Sequence, residues 1–229
     1  MRTAAIIVAA GRGRRMDSLL PKVLLPLAGR TVLAWSVGAF LHHPGIDRVI
    51  IAVADEAAAR RALADDAGRV RLVAGGERRQ DSVLNGLDAA GDVDIVLVHD
   101  AARPLIESSL IDAVIAAAAE FGAAVPITPV AATVKRLGGD GFILTTVPRE
   151  NLGLAQTPQG FQTRLLRRAF DSISAGHHAT DDAALVERLG VRVRAVDGSP
   201  RNIKITVPAD LAVAEALLAG TERLESGDG

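Results

Sequence analysis

The hydrophobic positions of the chain form short, wholly apolar runs that alternate with stretches of helical periodicity. A strand that is apolar throughout is covered on both faces, so these runs predict parallel strands. The predicted strands are 4–9, 48–53, 70–74, 95–99 and 123–127. The helices predicted between them are 31–41, 56–64, 81–90 and 108–121. With right-handed crossovers, this order predicts an α/β fold with a doubly wound, mostly parallel sheet.

The alternation breaks after Val130. Two apolar stretches, 132–137 and 142–147, flank the turn sequence Gly-Gly-Asp-Gly at 138–141, which predicts a β-hairpin. A hairpin alone buries too little apolar surface to be stable, so we expect it to pack as an arm, either on a second subunit or on its own domain. Further elements are predicted beyond the arm. They are helices at 163–174, 181–189 and 208–218 and strands at 191–196 and 203–206.

Composition narrows the possible functions. A length of 229 residues suits one α/β domain, predicted at 1–220 with the arm at about 132–148 and a flexible tail at 221–229. The 26 basic and 27 acidic residues nearly cancel and aromatic residues make up only 3%, which argues against a nucleic-acid partner. Cysteine is absent, which excludes disulfides and thiolate chemistry. The apolar run 3–10 is too short to span a membrane and precedes its basic residues, so we expect a cytoplasmic protein with no membrane partner.

A candidate phosphate-binding turn follows the first strand. Residues 9–16 read Ala-Ala-Gly-Arg-Gly-Arg-Arg-Met, and the backbone N–H groups of such a turn can cradle phosphate. It is neither a Walker loop nor a good dinucleotide fingerprint, because no Gly-Lys-Ser/Thr follows and Met16 takes the third glycine position. In-line attack on an α-phosphorus develops charge that fixed cations stabilise. We therefore predict that Arg15 and Lys22 neutralise a polyphosphate; a structural turn or a solvated basic loop is the alternative.

An acidic residue follows the fourth predicted strand. Asp100 comes directly after the strand 95–99, and open parallel sheets bind ligands at the carboxyl ends of their strands. Asp100 is therefore a candidate ligand of Mg²⁺ or another divalent cation, which prefers carboxylate and phosphate oxygens. Arg103 is a candidate partner for a second phosphate. The alternative is that Asp100 only caps the turn.

Taken together and in this order, these motifs resemble the 2-C-methyl-D-erythritol 4-phosphate cytidylyltransferase family of the non-mevalonate isoprenoid pathway. The resemblance extends from about Ala4 to Leu218. It is carried by residues 9–16, 21–22, 75–83, 98–104, 133–135, 156–159 and 202–206. It implies a Rossmann-like nucleotidyltransferase fold. It also implies a reaction of CTP with 2-C-methyl-D-erythritol 4-phosphate that yields 4-diphosphocytidyl-2-C-methyl-D-erythritol and pyrophosphate.

The resemblance implies a role for each matched residue. The catalytic residues would be Arg15, Lys22, Arg149 and Lys204. The nucleotide would be held by Ala9, Ala10, Gly11, Gly13, Lys22, Gly76, Ser82 and Ala101. The second substrate would be bound by Asp100, Arg103, Thr133, Arg149, Thr157 and Lys204, with Asp100 also the metal ligand. In this family the arm exchanges between the subunits of a homodimer, so that Arg149 would reach the neighbouring active site.

The sequence departs from the family pattern at two positions. Ala132 stands before Thr133, where many relatives have aspartate, which removes a polar group near the second substrate. Arg201 stands before Asn202, so a second metal carboxylate is missing there.

Other functions are compatible with parts of this pattern. Ribitol 5-phosphate cytidylyltransferases share the fold and most of the CTP site, and only the sugar-alcohol pocket separates them. Sugar-1-phosphate nucleotidyltransferases share the glycine-rich turn and its lysine but lack the blocks at 157–158 and 202–206. A catalytically silent nucleotide-binding protein should have lost charge at Arg15, Lys22 or Asp100, and all three are present.

Overall fold

The computed structural model describes residues 1–11, 20–172 and 179–226, with the side chains of 221–226 excepted. The strands are β1 (Thr3–Val8), β2 (Pro26–Leu27), β3 (Arg30–Thr31), β4 (Arg48–Val53), β5 (Arg71–Ala74), β6 (Ile95–Asp100), β7 (Ala123–Pro129), β8 (Val134–Leu137), β9 (Ile143–Val147), β10 (Gly153–Ala155), β11 (Gln159–Gln162) and β12 (Arg194–Asp197). The helices are α1 (Val32–Leu41), α2 (Glu56–Leu63), α3 (Arg79–Ala90), α4 (Ser108–Phe121), α5 (Thr163–Asp171), α6 (Asp182–Glu187) and α7 (Pro208–Ser226). None of the helices within these ranges is long and apolar enough to cross a bilayer.

The central sheet has the strand order β10-β7-β11-β6-β1-β4-β5, and β12 also pairs with β7. Strands β5, β4, β1 and β6 are mutually parallel, as are β12 and β7. Strand β11 runs antiparallel between β6 and β7, and β10 runs antiparallel to β7. The prediction of a mostly parallel, Rossmann-like sheet is therefore confirmed.

Strand β1 shows why the sheet needs helices on both faces. Successive strand side chains point to opposite faces, and the apolar residues of β1 supply both. Ala5 and Ile7 pack in a core that also contains side chains of α1 and α4. Ala4 and Ile6 pack in the opposite core, which contains side chains of α3 and α5. The wholly apolar run thus places β1 in the middle of the molecule, with its carboxyl end between the helices.

Several predicted boundaries differ from the structure. The strand predicted at 203–206 is wrong, because that segment has no regular secondary structure and pairs with no strand of the sheet. Strands β2, β3, β10 and β11 were not predicted. Helix α7 continues to Ser226, past the predicted end at Leu218, so the domain boundary placed at 220 falls inside a helix.

The predicted hairpin arm is confirmed as a hairpin. Strands β8 and β9 form a separate two-stranded antiparallel sheet, and within the described residues they pair with no other strand. Gly138 N–H donates to the Phe142 carbonyl at 2.8 Å, which closes the turn. The apolar side chains near the turn are 60% to 73% exposed in this protomer. They are Leu137, Phe142, Ile143 and Leu144.

Candidate active site

A cleft with about 630 Å³ of empty volume lies where the carboxyl ends of β1, β5 and β6 meet. This is the edge at which open parallel sheets bind ligands. Eight of the residues predicted to form the site line this one cleft. They are Ala9, Ala10, Gly11, Lys22, Gly76, Ser82, Asp100 and Lys204. Motifs that are far apart in the sequence therefore form a single concave surface.

Close backbone contact brings two walls of the cleft together. A Cβ atom on Gly75 would lie 2.2 Å from Cβ of Ala10, so the turn after β5 can approach the turn after β1 only because position 75 has no side chain. Gly75 N–H donates to the Val53 carbonyl at 2.8 Å, and Gly76 N–H donates to Oγ of Ser82 at 3.0 Å. The glycines and Ser82 thus fix the wall on which α3 begins.

The first turn of α3 faces the cleft. Arg78 is the N-cap residue, and its backbone N–H donates to the Asp81 carboxylate at 3.1 Å in a capping box. Arg78, Arg79 and Ser82 all line the cleft. The first N–H groups of a helix and its dipole favour anions, so this wall suits phosphate oxygens.

Asp100 is the electrostatic centre of the cleft. Its Oδ1 accepts a hydrogen bond from Nε of Arg79 at 3.0 Å, and its Oδ2 accepts one from Nζ of Lys204 at 2.6 Å. Burial alone would raise the pKa of Asp100, but the charges of Arg79 and Lys204 outweigh it and hold that pKa well below its usual range. The carboxylate is therefore ionised and balanced by two cations.

The sequence analysis predicts no catalytic or binding role for Arg79. Its Nη1 donates to Oδ2 of Asp182 at 2.7 Å, so one guanidinium joins two carboxylates. The Asp182 side chain is only 1% exposed, and burial raises its pKa while Arg79 opposes that rise. Burial likewise disfavours the charge of Arg79, but Asp182 and Asp100 raise its pKa overall. The one sequence signal for Arg79 is an arginine close to the predicted start of a helix, three residues after Gly76.

A buried hydrogen-bonded chain holds the end of β6. Burial lowers the pKa of His99 to about 4, so the ring is neutral near neutral pH. Nε2 of His99 lies 3.0 Å from the Arg103 carbonyl and must carry the proton, since a carbonyl can only accept. Nδ1 then accepts from the Thr157 hydroxyl at 3.1 Å, and that hydroxyl accepts from Asp100 N–H at 3.1 Å. Thr157 thus fixes the backbone that carries Asp100.

The segment 202–205 closes the cleft on the opposite side. Asn202 Nδ2 donates to the Thr157 carbonyl at 2.8 Å, and Ile205 N–H donates to the Ala102 carbonyl at 2.8 Å. Nζ of Lys22 donates to the Ile205 carbonyl at 2.9 Å. These bonds place Lys204 over Asp100 and bring Lys22 to the same rim.

Three residues predicted to bind ligands do not line this cleft. Ala101 is fully buried and its N–H donates to the Val8 carbonyl at 3.1 Å, while Ala102 lines the cleft beside it. The guanidinium of Arg103 donates to the Asn202 carbonyl at 2.7 Å, and Thr157 is buried as described above. Their described contacts support the site, and direct binding by them stays a prediction.

Four other predicted residues lie elsewhere in the chain. Thr133 and Arg149 are exposed at the base of the arm and do not line this cleft. Nη1 of Arg149 donates to the Ala131 carbonyl, across that base. Gly13 and Arg15 lie outside the described residues, so their roles stay predictions.

The cleft offers few protein ligands for a divalent cation. The described residues contain no cluster of three histidine, aspartate or glutamate side chains suited to a metal ion. Asp100, at the end of β6, is a carboxylate that lines the cleft. Arg201, at the position where the family pattern has a second carboxylate, contacts Glu107 and the Leu217 carbonyl instead. Mg²⁺ is commonly held by one or two carboxylates together with substrate phosphates and water. The residues therefore fit an ion that shares its ligands with a bound polyphosphate.

Known proteins match the chain over almost its whole length. A family model for 2-C-methyl-D-erythritol 4-phosphate cytidylyltransferase, IspD, matches residues 3–220. The protein of that name from Syntrophotalea carbinolica is 48% identical over 226 residues, which cover 95% of this chain and 97% of the relative. The crystal structure of the Thermus thermophilus protein of that name is 39% identical with a TM-score of 0.79, covering 95% and 98% of the two chains. The 4-diphosphocytidyl-2C-methyl-D-erythritol synthase structure from Anaerococcus prevotii is 30% identical with a TM-score of 0.82, covering 95% and 96%.

We expect the stabilising effect of Asp100 to disappear in acid. Its pKa is lower in the folded protein than in the unfolded chain, so the effect is complete above the unfolded value of about 4 and is lost as the pH falls toward the folded value. Wild type should exceed Asp100→Asn in free energy of unfolding by about 2 kcal/mol near neutral pH. The difference, measured by urea denaturation, should begin to narrow as the pH falls below about 5 and should keep narrowing as the pH falls past the unfolded pKa of about 4. A difference that stays constant or widens in acid would contradict the assigned ion pairs.

Proposed function

We propose that this chain, which belongs to the IspD family of 2-C-methyl-D-erythritol 4-phosphate cytidylyltransferases, transfers a cytidylyl group from CTP to 2-C-methyl-D-erythritol 4-phosphate. The products are 4-diphosphocytidyl-2-C-methyl-D-erythritol and pyrophosphate, in the non-mevalonate route to isoprenoid precursors. The observation that carries this proposal is the cleft, which is lined by a glycine turn, the start of α3, Lys22 and the ion-paired Asp100 and Lys204. The proposal keeps the cytoplasmic location expected from the sequence.

The reaction needs no nucleophile from the protein. A phosphate oxygen of the acceptor attacks the α-phosphorus of CTP, and the bond from that phosphorus to the oxygen bridging to the β-phosphate breaks, so that pyrophosphate leaves. A phosphate monoester loses its second proton near pH 6, so the attacking oxygen is already ionised. The protein has only to hold the reactants in line and to neutralise charge.

The cationic side chains supply that neutralisation. Lys22 lies at the rim of the cleft, held by the Ile205 carbonyl, and Lys204 lies over Asp100. Negative charge develops on the oxygens around the α-phosphorus and on the leaving group, where fixed cations stabilise it most. Arg15 belongs to the same proposal on sequence grounds.

A divalent cation, Mg²⁺ or a similar ion, completes the proposal. Asp100 would hold it together with phosphate oxygens of the nucleotide, as the donor set allows. When bound, the ion offsets charge on the triphosphate and orients it. Arg79 and Lys204 each occupy one oxygen of Asp100, so these two cations compete with a metal ion for the carboxylate.

Backbone groups would recognise the cytosine. Ala9, Ala10 and Gly11 on one wall and Gly76 with Ser82 on the other present small residues to the cleft. The base offers an amino donor and a carbonyl acceptor, which backbone C=O and N–H groups can read without an aromatic platform. This agrees with an aromatic content of only 3%.

The arm would complete the acceptor site in a homodimer. Its exposed Leu137, Phe142, Ile143 and Leu144 form an apolar surface of the kind that protein interfaces cover. Thr133 and Arg149 lie at the base of the arm and outside their own cleft, so a second copy of the chain can place them at its neighbour's cleft. Nucleic acids and membranes have no part in the proposal.

Pyrophosphate release tests the proposed reaction. Purified protein with CTP, Mg²⁺ and 2-C-methyl-D-erythritol 4-phosphate should release pyrophosphate in step with loss of the acceptor. Reactions without acceptor and with ribitol 5-phosphate serve as controls and should be slow. Faster turnover with ribitol 5-phosphate, or none with either acceptor, would contradict the proposal.

Replacing Lys22 should impair catalysis more than folding. Lys22→Ala removes a cation beside the reacting phosphorus, so turnover should fall by roughly two to three orders of magnitude. Arg60→Ala is the control, because Arg60 pairs with Glu56 on the exposed face of α2. Steady-state kinetics with circular dichroism separate the two effects. Near-normal turnover of Lys22→Ala would exclude the assigned role.

Mixed dimers test whether Arg149 acts across the interface. Arg149→Ala should raise the KM of the acceptor and leave that of CTP nearly unchanged. When equal amounts of Arg149→Ala and Lys22→Ala subunits re-associate, the mixed dimer has one site with both residues intact, so activity at an acceptor concentration well below the wild-type KM should recover to about a quarter of the wild-type value. Recovery no greater than the average of the two separate variants would show that Arg149 serves its own subunit. A monomer in sedimentation experiments would contradict the dimer itself.

A further inference from the structure

Arg79 occupies a position that the proposed reaction leaves unexplained. Its guanidinium spans the gap between Asp100 at the end of β6 and Asp182 at the start of α6, with bonds of 3.0 Å and 2.7 Å. The side chain is 29% exposed and lines the cleft. Within the described ranges its third nitrogen, Nη2, has no hydrogen-bond partner. A guanidinium has five N–H donors, so Arg79 still has unused donors at the cleft.

The two carboxylates differ in what they can do. Asp182 is 1% exposed, and its Oδ1 has no hydrogen-bond partner among the described residues. A buried carboxylate is stable only when a cation pairs with it, so Asp182 depends on Arg79 and has no route to a ligand. Asp100 lies at the cleft, where the proposed function supplies both a divalent cation and a triphosphate.

Lys204 and Arg79 hold Asp100 in different ways. The Lys204 side chain is 40% exposed, and its ammonium is a single point charge on a flexible stem. Arg79 also forms an ion pair with Asp182, so its guanidinium would stay at the cleft after its hydrogen bond to Asp100 breaks. The planar fork would then offer Nε and Nη2 to an anion in the cleft, in the geometry that phosphate oxygens accept.

We propose that Arg79 exchanges partners on binding: its guanidinium leaves Asp100 for a phosphate of the nucleotide, while Asp182 keeps it anchored at the cleft. The inference rests on the proposed function, because that function supplies the phosphate and the cation. Arg79 is then a phosphate-binding residue, and Asp182 is a positioning residue that acts through it. Oδ1 of Asp100 loses a competing cation when the triphosphate arrives, so the nucleotide and a divalent cation favour each other's binding.

The exchange of partners by Arg79 predicts that Arg79→Ala changes the affinities for CTP and for Mn²⁺ in opposite directions. Both affinities are measured without acceptor, so that no turnover occurs. Arg79→Ala removes a phosphate donor, so the Kd of CTP with Mg²⁺ should rise about tenfold or more in titration calorimetry. The same variant removes a cation that competes for Asp100, so Mn²⁺ alone, followed by electron paramagnetic resonance, should bind about threefold more tightly. Arg60→Ala, the surface control, should change neither affinity.

Asp182→Asn keeps the shape of the side chain but weakens the ion pair that holds Arg79 at the cleft. It should weaken CTP binding, leave Mn²⁺ binding no tighter than in wild type, and keep the KM of the acceptor within about twofold. Arg79→Gln, which has no charge, is measured by the same titrations if Arg79→Ala does not fold.

The exchange is overturned if Arg79→Ala leaves the CTP affinity unchanged, or if its Mn²⁺ affinity does not rise. The role of Asp182 is overturned if Asp182→Asn binds CTP as wild type does. Wild-type protein that neither binds CTP nor releases pyrophosphate would instead overturn the proposed function.

Discussion

The charge of Asp100 has to be balanced at a place that is nearly closed to water, and the rest of the site is arranged around that requirement. Lys204 reaches it from the segment 202–205 and Arg79 from the start of α3, at 2.6 Å and 3.0 Å. Each cation comes from a different part of the chain, so the ion pairs also join those parts. A carboxylate shared between two cations resists protonation and stays ionised near neutral pH, as the proposed divalent cation requires. The same interactions therefore hold the cleft together and prepare it for a charged ligand.

Most of the fold could be predicted from the sequence, because strands that are buried on both faces are apolar along their whole length. Strands β1, β4 and β6 are apolar along most of their length, and only a sheet covered on both sides explains such runs. Strand β11 was missed because its position depends on its partners: Gly160 pairs with Leu97 on one side and Ala124 on the other. The strand prediction at 203–206 is wrong because apolar and polar residues alternate in Ile-Lys-Ile-Thr, as they do in a half-buried strand. Ile205 is buried with Leu27 and Ala214 instead of in a sheet.

Site residues could be predicted from the sequence where their residue type is rare in the chain, and could not where it is common. Lys22 and Lys204 stand out in a chain that otherwise uses mostly arginine, and Asp100 stands at a strand end. Nothing in the sequence separates Arg79 from its neighbour Arg78, although Arg78 pairs locally with Asp81 and Arg79 reaches across the cleft. Partner choice of this kind is decided by the direction of the first helical turn, which only three-dimensional structure reveals.

The contact between Gly75 and Ala10 limits how the two turns can vary. With 2.2 Å between Cβ of Ala10 and the place where a Cβ on residue 75 would stand, the two backbones already meet without room for another methyl group. A larger residue at either position would push the turns apart and widen the opening between them. Because alanine is the smallest chiral side chain, only glycine at position 10 could make space for a change at position 75. The spacing between these two turns thus depends on residue 75 having no side chain, and a larger residue at position 75 would require glycine at position 10.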